Sequence, residues 1–492
     1  MTRQDASIAY VRQEDAPLLP APPSEVGIQG WLRKNLFSTP FYSVLTVVLG
    51  GLILWFIWDV FQWAIVTAIW TGSNREACLV PDGVTGACWP MVREKFPQWI
   101  YGFYPVEERW RVNTVFIVGV LALVPMLMPS APYKTLNALF LLAVFPLMAL
   151  ILLTGGHFSF AFGSYVATLG LLLLTSVTVP LMAFGLEEGI RRNPHGLISA
   201  AISLGGWIGS LYVSGSAIPW TALAFAIGAA VFSLGSVVRE PSLTGRTAAY
   251  AWAGIVIGVM LAMLLLGANL GLVPVETSQW GGLLVTLVVS VTGIVASLPL
   301  GILLALGRRS QMPVVKLFSI IFIELWRGVP LITVLFFSSV MLPLFLPEGT
   351  SFDKLLRALI GVALFSAAYM AEVVRSGLQA IPKGQYEGAM ALGLSFWQMM
   401  NKIILPQALK ISIPNIVGNF ISLFKDTTLV SIIGIFDLLG MVRAGLKDSN
   451  WAAPSSTPTG YFTLALMFWI FCFAMSRYSI YTERRLNTGH KR

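Results

Sequence analysis

Long stretches of this chain carry no Asp, Glu, Lys or Arg: Thr135 to Leu186, Gly196 to Val238, Thr247 to Val275 and Thr277 to Gly307. Each suffices for one or two membrane crossings, because a transmembrane helix needs about 20 consecutive apolar residues. Charged residues are only 11% of the chain and hydrophobic residues 56%, against about 25% charged in a soluble domain. The apolar residues run on without alternating with polar ones, which excludes the strand pattern of an outer-membrane barrel. The fold class that follows is an all-α polytopic membrane protein.

Hydropathy places about twelve helices, at 41–70, 112–128, 134–154, 164–184, 197–213, 218–237, 248–268, 282–306, 328–346, 356–376, 412–436 and 460–477. The first run opens near Phe41 and exceeds the apolar core of a signal peptide, so it reads as an uncleaved span behind a loose tail. With the N-terminus inside, the inner segments hold Arg33, Lys34, Lys134, Arg191, Arg192, Arg239, Arg246, Arg308, Arg309, Lys316, Arg484 and Arg485. The outer links 155–163, 214–217 and 269–281 hold no Lys or Arg. That asymmetry is the positive-inside pattern, and it puts both termini in the cytoplasm. It also explains the net charge of +9 without nucleic acid.

One long outer loop, 71–111, contains Cys78, Cys88 and the aromatic residues Trp99, Tyr101, Phe103, Tyr104 and Trp110. The aromatics suit the membrane–water boundary. The two cysteines are either a disulfide, if the loop faces an oxidising compartment, or two free thiols. Near residue 270 a connector, "NLGLVPVETSQWGG", separates an N-terminal part poor in polar residues from a C-terminal part rich in motifs. The organisation expected is a cytoplasmic tail 1–40, an N-terminal extension 41–270, a core 271–482 and a cytoplasmic tail 483–492.

The core contains an unusual polar hairpin, 382–406, with the sequence "YEGAMALGLSFWQMMNKIILPQA" over 386–408. Pro382 suits a helix start, and that helix is expected to reach about Leu392. Gly393 supplies a left-handed stop. Ser395 followed by Gln398 is a capping-box pattern for a second helix, which Pro406 is expected to end. Such a rigid, partly apolar surface between two spans needs either a protein partner or the bilayer surface.

The order Glu387-Gly388-Ala389, then Gly393, then Ile403-Ile404-Leu405-Pro406 resembles the "EAA" loop of ABC importer permeases: E-A-A, three residues, G, nine residues, I-x-L-P. The chain departs from it at Gly388, where the pattern prefers Ala. The phrases "ELWRGVPLITVLFF", "AEVVRSGLQAIPKGQYEGA" and "SLFKDTTLVSIIG" resemble the polar amino-acid permeases, which makes the last five spans an importer core. "WIYGFYPVEERWRV" and "LLTGGHFSF" are similar to the general L-amino-acid type, which serves acidic and neutral polar amino acids, Gln and Asn included. Helices within 164–268 look like an insertion into that type.

The resemblance implies a permease subunit of an importer in the bacterial inner membrane, working by alternating access. Its hairpin would be the coupling helix, seated in a groove of a separate ATP-binding subunit present in two copies. ATP and Mg would reside on that subunit, with no cofactor on this chain. A periplasmic amino-acid-binding protein would deliver substrate, and a second, shorter paralogous permease would complete the pathway.

The chain has no Gly-Lys dipeptide, so the phosphate-binding loop G-x-x-x-x-G-K-[ST] is absent. Its histidines, at 157, 195 and 490, have no zinc-type spacing. No catalytic or metal site is expected. Charges within spans are costly and usually pair or face water. Glu324 and Arg327, like Glu372 and Arg375, stand three apart and are expected to neutralise each other on one helical face. With Lys425 and Asp426 they are either structural ion pairs or lining for a translocation route, where Arg327 or Lys425 would meet a substrate carboxylate. Two other readings compete: an ion-coupled secondary transporter, which would usually show related halves not visible here, and a receptor, which would leave the hairpin unexplained.

Overall fold

The computed structural model describes residues 27–79, 86–128, 130–156, 268–345 and 353–486, together with 262, 265 and 266. Among these the regular structure is helical, with only isolated β-bridges. The helices are α1 (Gly27–Asn35), α2 (Pro40–Phe61), α3 (Trp89–Tyr101), α4 (Arg109–Leu127), α5 (Lys134–Thr154), α6 (Gly282–Arg308), α7 (Pro313–Gly328), α8 (Leu331–Phe345), α9 (Lys354–Gln379), α10 (Lys383–Ala391), α11 (Phe396–Met399), α12 (Leu405–Asp426), α13 (Leu438–Leu446) and α14 (Ser456–Leu486). Within α5, α8 and the join of α11 to α12 the helix passes through a wider π turn.

Seven described helices are long and apolar enough to cross a membrane. The expected spans at 164–184, 197–213 and 218–237, and all but the last positions of 248–268, lie outside the described residues. The expected span at 328–346 needs correction. It is the second half of a broken pair, α7 and α8, bent by 103°. Pro330 is the cause, since a proline disfavours helical backbone in the residue before it. Val329 is accordingly extended at φ −110°, ψ 135°.

The chain divides into two compact units. The first comprises residues up to Lys95 and Gly445–Ala465. Here Cys78 is bonded to Cys88, with Cα atoms 5.8 Å apart. Both cysteines are tied to the start of α14: Cys88 N donates to Thr459 Oγ1 at 2.9 Å, and Ser455 Oγ, just before the helix, donates to the Cys78 carbonyl at 2.8 Å. An ion pair joins Lys95 to Asp448, and that bond holds the Asp448 carboxyl below its ordinary pKa. Helix α2 contains no buried residue. Part of the expected loose tail is ordered as α1, whose apolar residues repeat at helical spacing.

The second unit, from Phe96 to Ala444 and from Leu466 onward, has an apolar core that includes Val285, Val289, Leu335, Ala358, Val362 and Val430. Its helices approach closely through small residues, the usual packing device where lipid removes any hydrophobic drive between helices. A Cβ on Gly301 of α6 would stand 2.7 Å from the Met370 Cβ of α9, and one on Gly377 of α9 would stand 2.6 Å from the Ala408 carbonyl of α12. The aromatic loop also departs from expectation. Trp99 and Tyr104 are fully buried in protein, with the Tyr104 hydroxyl donating to the Leu153 carbonyl at 3.0 Å. Phe103 and Trp110 are half exposed.

Candidate functional site

The hairpin is built as its local sequence demands, with one exception. Pro382 is the N-cap of α10, and Leu392 ends it. Gly393 follows at φ +69°, a conformation that costs an L-residue roughly 1–2 kcal/mol. Ser395 and Gln398 then bond reciprocally: Ser395 N donates to Gln398 Oε1 at 3.1 Å, and Gln398 N donates to Ser395 Oγ at 3.4 Å. Pro406 does not end the second helix. The helical path continues from α11 through a π turn at Met400–Ile404 into α12, and Pro406 falls in the first turn of α12. A π turn frees backbone groups locally, which lets the ring fit without breaking the helix.

The two faces of this ledge differ. Ala389, Met400 and Ile404 are buried in one apolar cluster with Ala305 and Leu306 of α6, Met370, Val374 and Leu378 of α9, and Ala408 of α12. The hairpin is thereby fixed to the ends of three spanning helices. Outward, Met390 and Leu392 are 59% and 75% exposed, and Glu387, Gly388 and Phe396 are exposed too. Of the motif residues, Ala389 turns inward, Ile403 and Leu405 are half buried, and Gly393 is open. A push on the outer face therefore reaches α6, α9 and α12 through close-packed side chains, which transmit displacement with little compression. Arg309 adds a polar tie: it donates to the Leu378 carbonyl at 3.2 Å and to the Tyr386 hydroxyl at 3.0 Å, linking α6, α9 and α10.

The charged residues form a network that differs from the expected pairs. Glu372 and Arg375 do pair along α9, with Arg375 Nε donating to Glu372 Oε1 at 2.8 Å. Glu324 bonds instead to Arg308 Nη1 of α6, at 2.8 Å. Arg327 lies 3.8 Å from Glu372 Oε2 and 5.8 Å from the centre of the Tyr369 ring. Arg308 also lies 3.6 Å from Glu372 Oε2, an oxygen buried without a hydrogen bond. Three guanidiniums thus surround two carboxylates and leave a net positive charge. The crossing of α6, α7 and α9 decides this arrangement, so a three-residue spacing within α7 does not reveal it. Arg308 is legible in the sequence only as an inner-loop charge; no local signal marks it as a network member. Lys425, exposed, and Asp426, half buried, end α12 and belong to none of these ion pairs.

The C-terminal part is thus a helical membrane bundle with a two-faced ledge, 382–406, packed against α6, α9 and α12. The family described as "Binding-protein-dependent transport system inner membrane component" matches residues 297–488, which include the ledge and the charge network. The inner membrane amino-acid ABC transporter permease protein YhdY of Escherichia coli (strain K12) is 40% identical over 93% of this chain and 93% of its own. The glutamate/glutamine/aspartate/asparagine transport system permease protein BztC of Rhodobacter capsulatus is 40% identical over 98% of this chain and 99% of its own. The glutamate/aspartate import permease protein GltK of Escherichia coli O6:H1 is 35% identical over 32% of this chain and 72% of its own.

The chain belongs to this family: it is a multi-pass inner-membrane permease of an ABC importer, and not an ion-coupled carrier. Membership makes it a transport component, and implies an ATPase subunit and a substrate-binding protein as its partners.

Proposed function

We propose that this permease moves acidic and neutral polar L-amino acids into the cytoplasm, coupled to ATP hydrolysis through the ledge at 382–406. The observation that carries the coupling is the two-faced hairpin, with Ala389, Met400 and Ile404 sharing a core with the ends of α6, α9 and α12 while Met390 and Leu392 stay exposed. The substrate class rests on the amino acids for which two relatives, the BztC and GltK permeases, are named. ATP and Mg bind to the separate subunit, present in two copies, and this chain carries no cofactor and no catalytic group. A paralogous permease completes the pathway, and both termini of this chain lie in the cytoplasm. The core 271–482 carries the coupling, with the extension 41–270 preceding it.

In the mechanism, nucleotide-driven closure of the ATPase pair pushes Glu387, Gly388, Met390 and Leu392. The push passes to α6, α9 and α12, whose relative tilt exposes the pathway alternately to either side. Glu324, Arg327, Glu372 and Arg375, with Lys425 and Asp426, are the candidate pathway residues. The net positive charge of the network favours an amino acid's carboxylate. Reconstitution of the chain with its ATPase, second permease and binding protein in proteoliposomes tests this reading. ATP-dependent uptake of glutamate, glutamine, aspartate and asparagine is expected. Uptake driven by a proton or sodium gradient without ATP would refute it.

A further inference from the structure

Helix α1, Gly27–Asn35, precedes the first span and takes no part in the ledge or the charge network. Ile28, Trp31 and Leu32 fall at i, i+3 and i+4, on one helical face. Ile28 is 80% exposed and Trp31 is 58% exposed. Arg33 lies on the opposite face with Gln29 at its edge, and Arg33 and Lys34 are the basic residues of the last turn. In water this apolar face would be an unsatisfied cost.

The link to α2 restricts where the helix can go. Only Leu36, Phe37, Ser38 and Thr39 separate Asn35 from Pro40, at most about 14 Å of extended chain. Even that reach is not used. Leu36 N donates back to the Leu32 carbonyl at 2.8 Å, and the Leu36 carbonyl accepts from Thr46 Oγ1 at 2.7 Å. Thr46 belongs to the second turn of α2, a helix with no buried residue that is apolar enough to cross a membrane. The end of α1 is therefore held at the level where α2 enters the bilayer. Two cations, an aromatic edge and an apolar face at that level are the composition of a helix lying in the lipid interface.

We propose that α1 is an interfacial helix that binds the anionic phospholipid surface of the membrane, with Ile28, Trp31 and Leu32 immersed and Arg33 and Lys34 on the phosphates. Cations at an anionic leaflet are drawn to its negative surface potential, so the pair makes the docking depend on lipid charge. The proposal does not depend on the transported substrate.

The test uses the whole importer, in a Cys472→Ser background, in nanodiscs of phosphatidylcholine with or without phosphatidylglycerol. Spin labels are placed singly at I28C, Q29C, W31C and R33C, and their access to oxygen and to a water-soluble nickel chelate is measured. The expected pattern is oxygen access at 28 and 31 and nickel access at 29 and 33. The immersed signal at 28 and 31 should diminish without phosphatidylglycerol, or in R33Q/K34Q. ATP-dependent uptake by each variant confirms assembly. Nickel access at all four sites would overturn the proposal. So would exclusion of both reagents at 28 and 31, which would mean a protein partner covers the face. Immersion that is indifferent to phosphatidylglycerol and to R33Q/K34Q would overturn the anionic recognition.

Discussion

Arg308 Nη1 lies 2.8 Å from Glu324 Oε1, although the two residues stand 16 apart on different helices. The contact hands Arg327 to Glu372 and ties α6, α7 and α9 into one charged junction. Glu372 is its hub, touching Arg308, Arg327 and Arg375. Glu372→Gln should leave three cations around a neutral amide and cost about 1–2 kcal/mol, reduced from a fully buried pair because the side chain is about a quarter exposed. Arg308→Gln should cost less, since Glu324 is about half exposed. Thermal unfolding of the assembled complex in nanodiscs checks the order of the two; the reverse order would show that Glu372 is not the hub.

Gly393→Val forces a β-branched residue into φ +69° at the hinge of the ledge. The expected outcome is uptake reduced at least tenfold, with ATP hydrolysis by the complex persisting and protein levels unchanged. Loss of expression alone would mean the glycine serves folding rather than coupling.

Met390→Glu combined with Leu392→Glu places two carboxylates on the exposed face and leaves the buried face untouched. Co-purification of the ATPase subunit should fall sharply while the permease remains folded. Full retention of the ATPase would place its docking surface elsewhere.

Asp437 outside the spans provides a pH signature. Its carboxylate accepts the Leu439 and Gly440 amides at 3.0 Å each, yet burial pushes its pKa from 3.8 up to about 6, against the lowering effect of those bonds and of Arg443. The folded protein therefore binds the proton more tightly than the unfolded chain. The stability this one group contributes is full below about pH 4, is lost as pH rises through about 6, and is gone above that, on the order of 3 kcal/mol in all. Asp437→Asn should flatten this part of the profile of unfolding temperature against pH. An unchanged slope would assign it to another group.

The Cys78–Cys88 bond closes a loop of sequence separation 10, worth about 2–3 kcal/mol by chain entropy. Reduction or Cys78→Ser should lower the stability of the first unit by that order. Mass spectrometry of the unreduced protein should show both thiols blocked, and free thiols at either position would contradict the bond.

The sequence alone determined the features whose causes lie within a few residues of each other. Charge-free runs mark spans because lipid forbids anything but a self-satisfied helix over that length. Gly393, Ser395 and Gln398 write the hairpin because a left-handed stop and a capping box are local bonds. The tertiary structure decided what depends on which helices cross. Glu324 passes over Arg327, three residues away, for Arg308 on another helix; Trp99 and Tyr104 exchange the lipid boundary for the protein interior; and the helix runs on through Pro406 by way of the π turn at Met400–Ile404. A side chain's spacing fixes the face of the helix it occupies. The partner it meets there depends on how neighbouring helices pack, and that packing is settled by contacts between residues far apart in the chain.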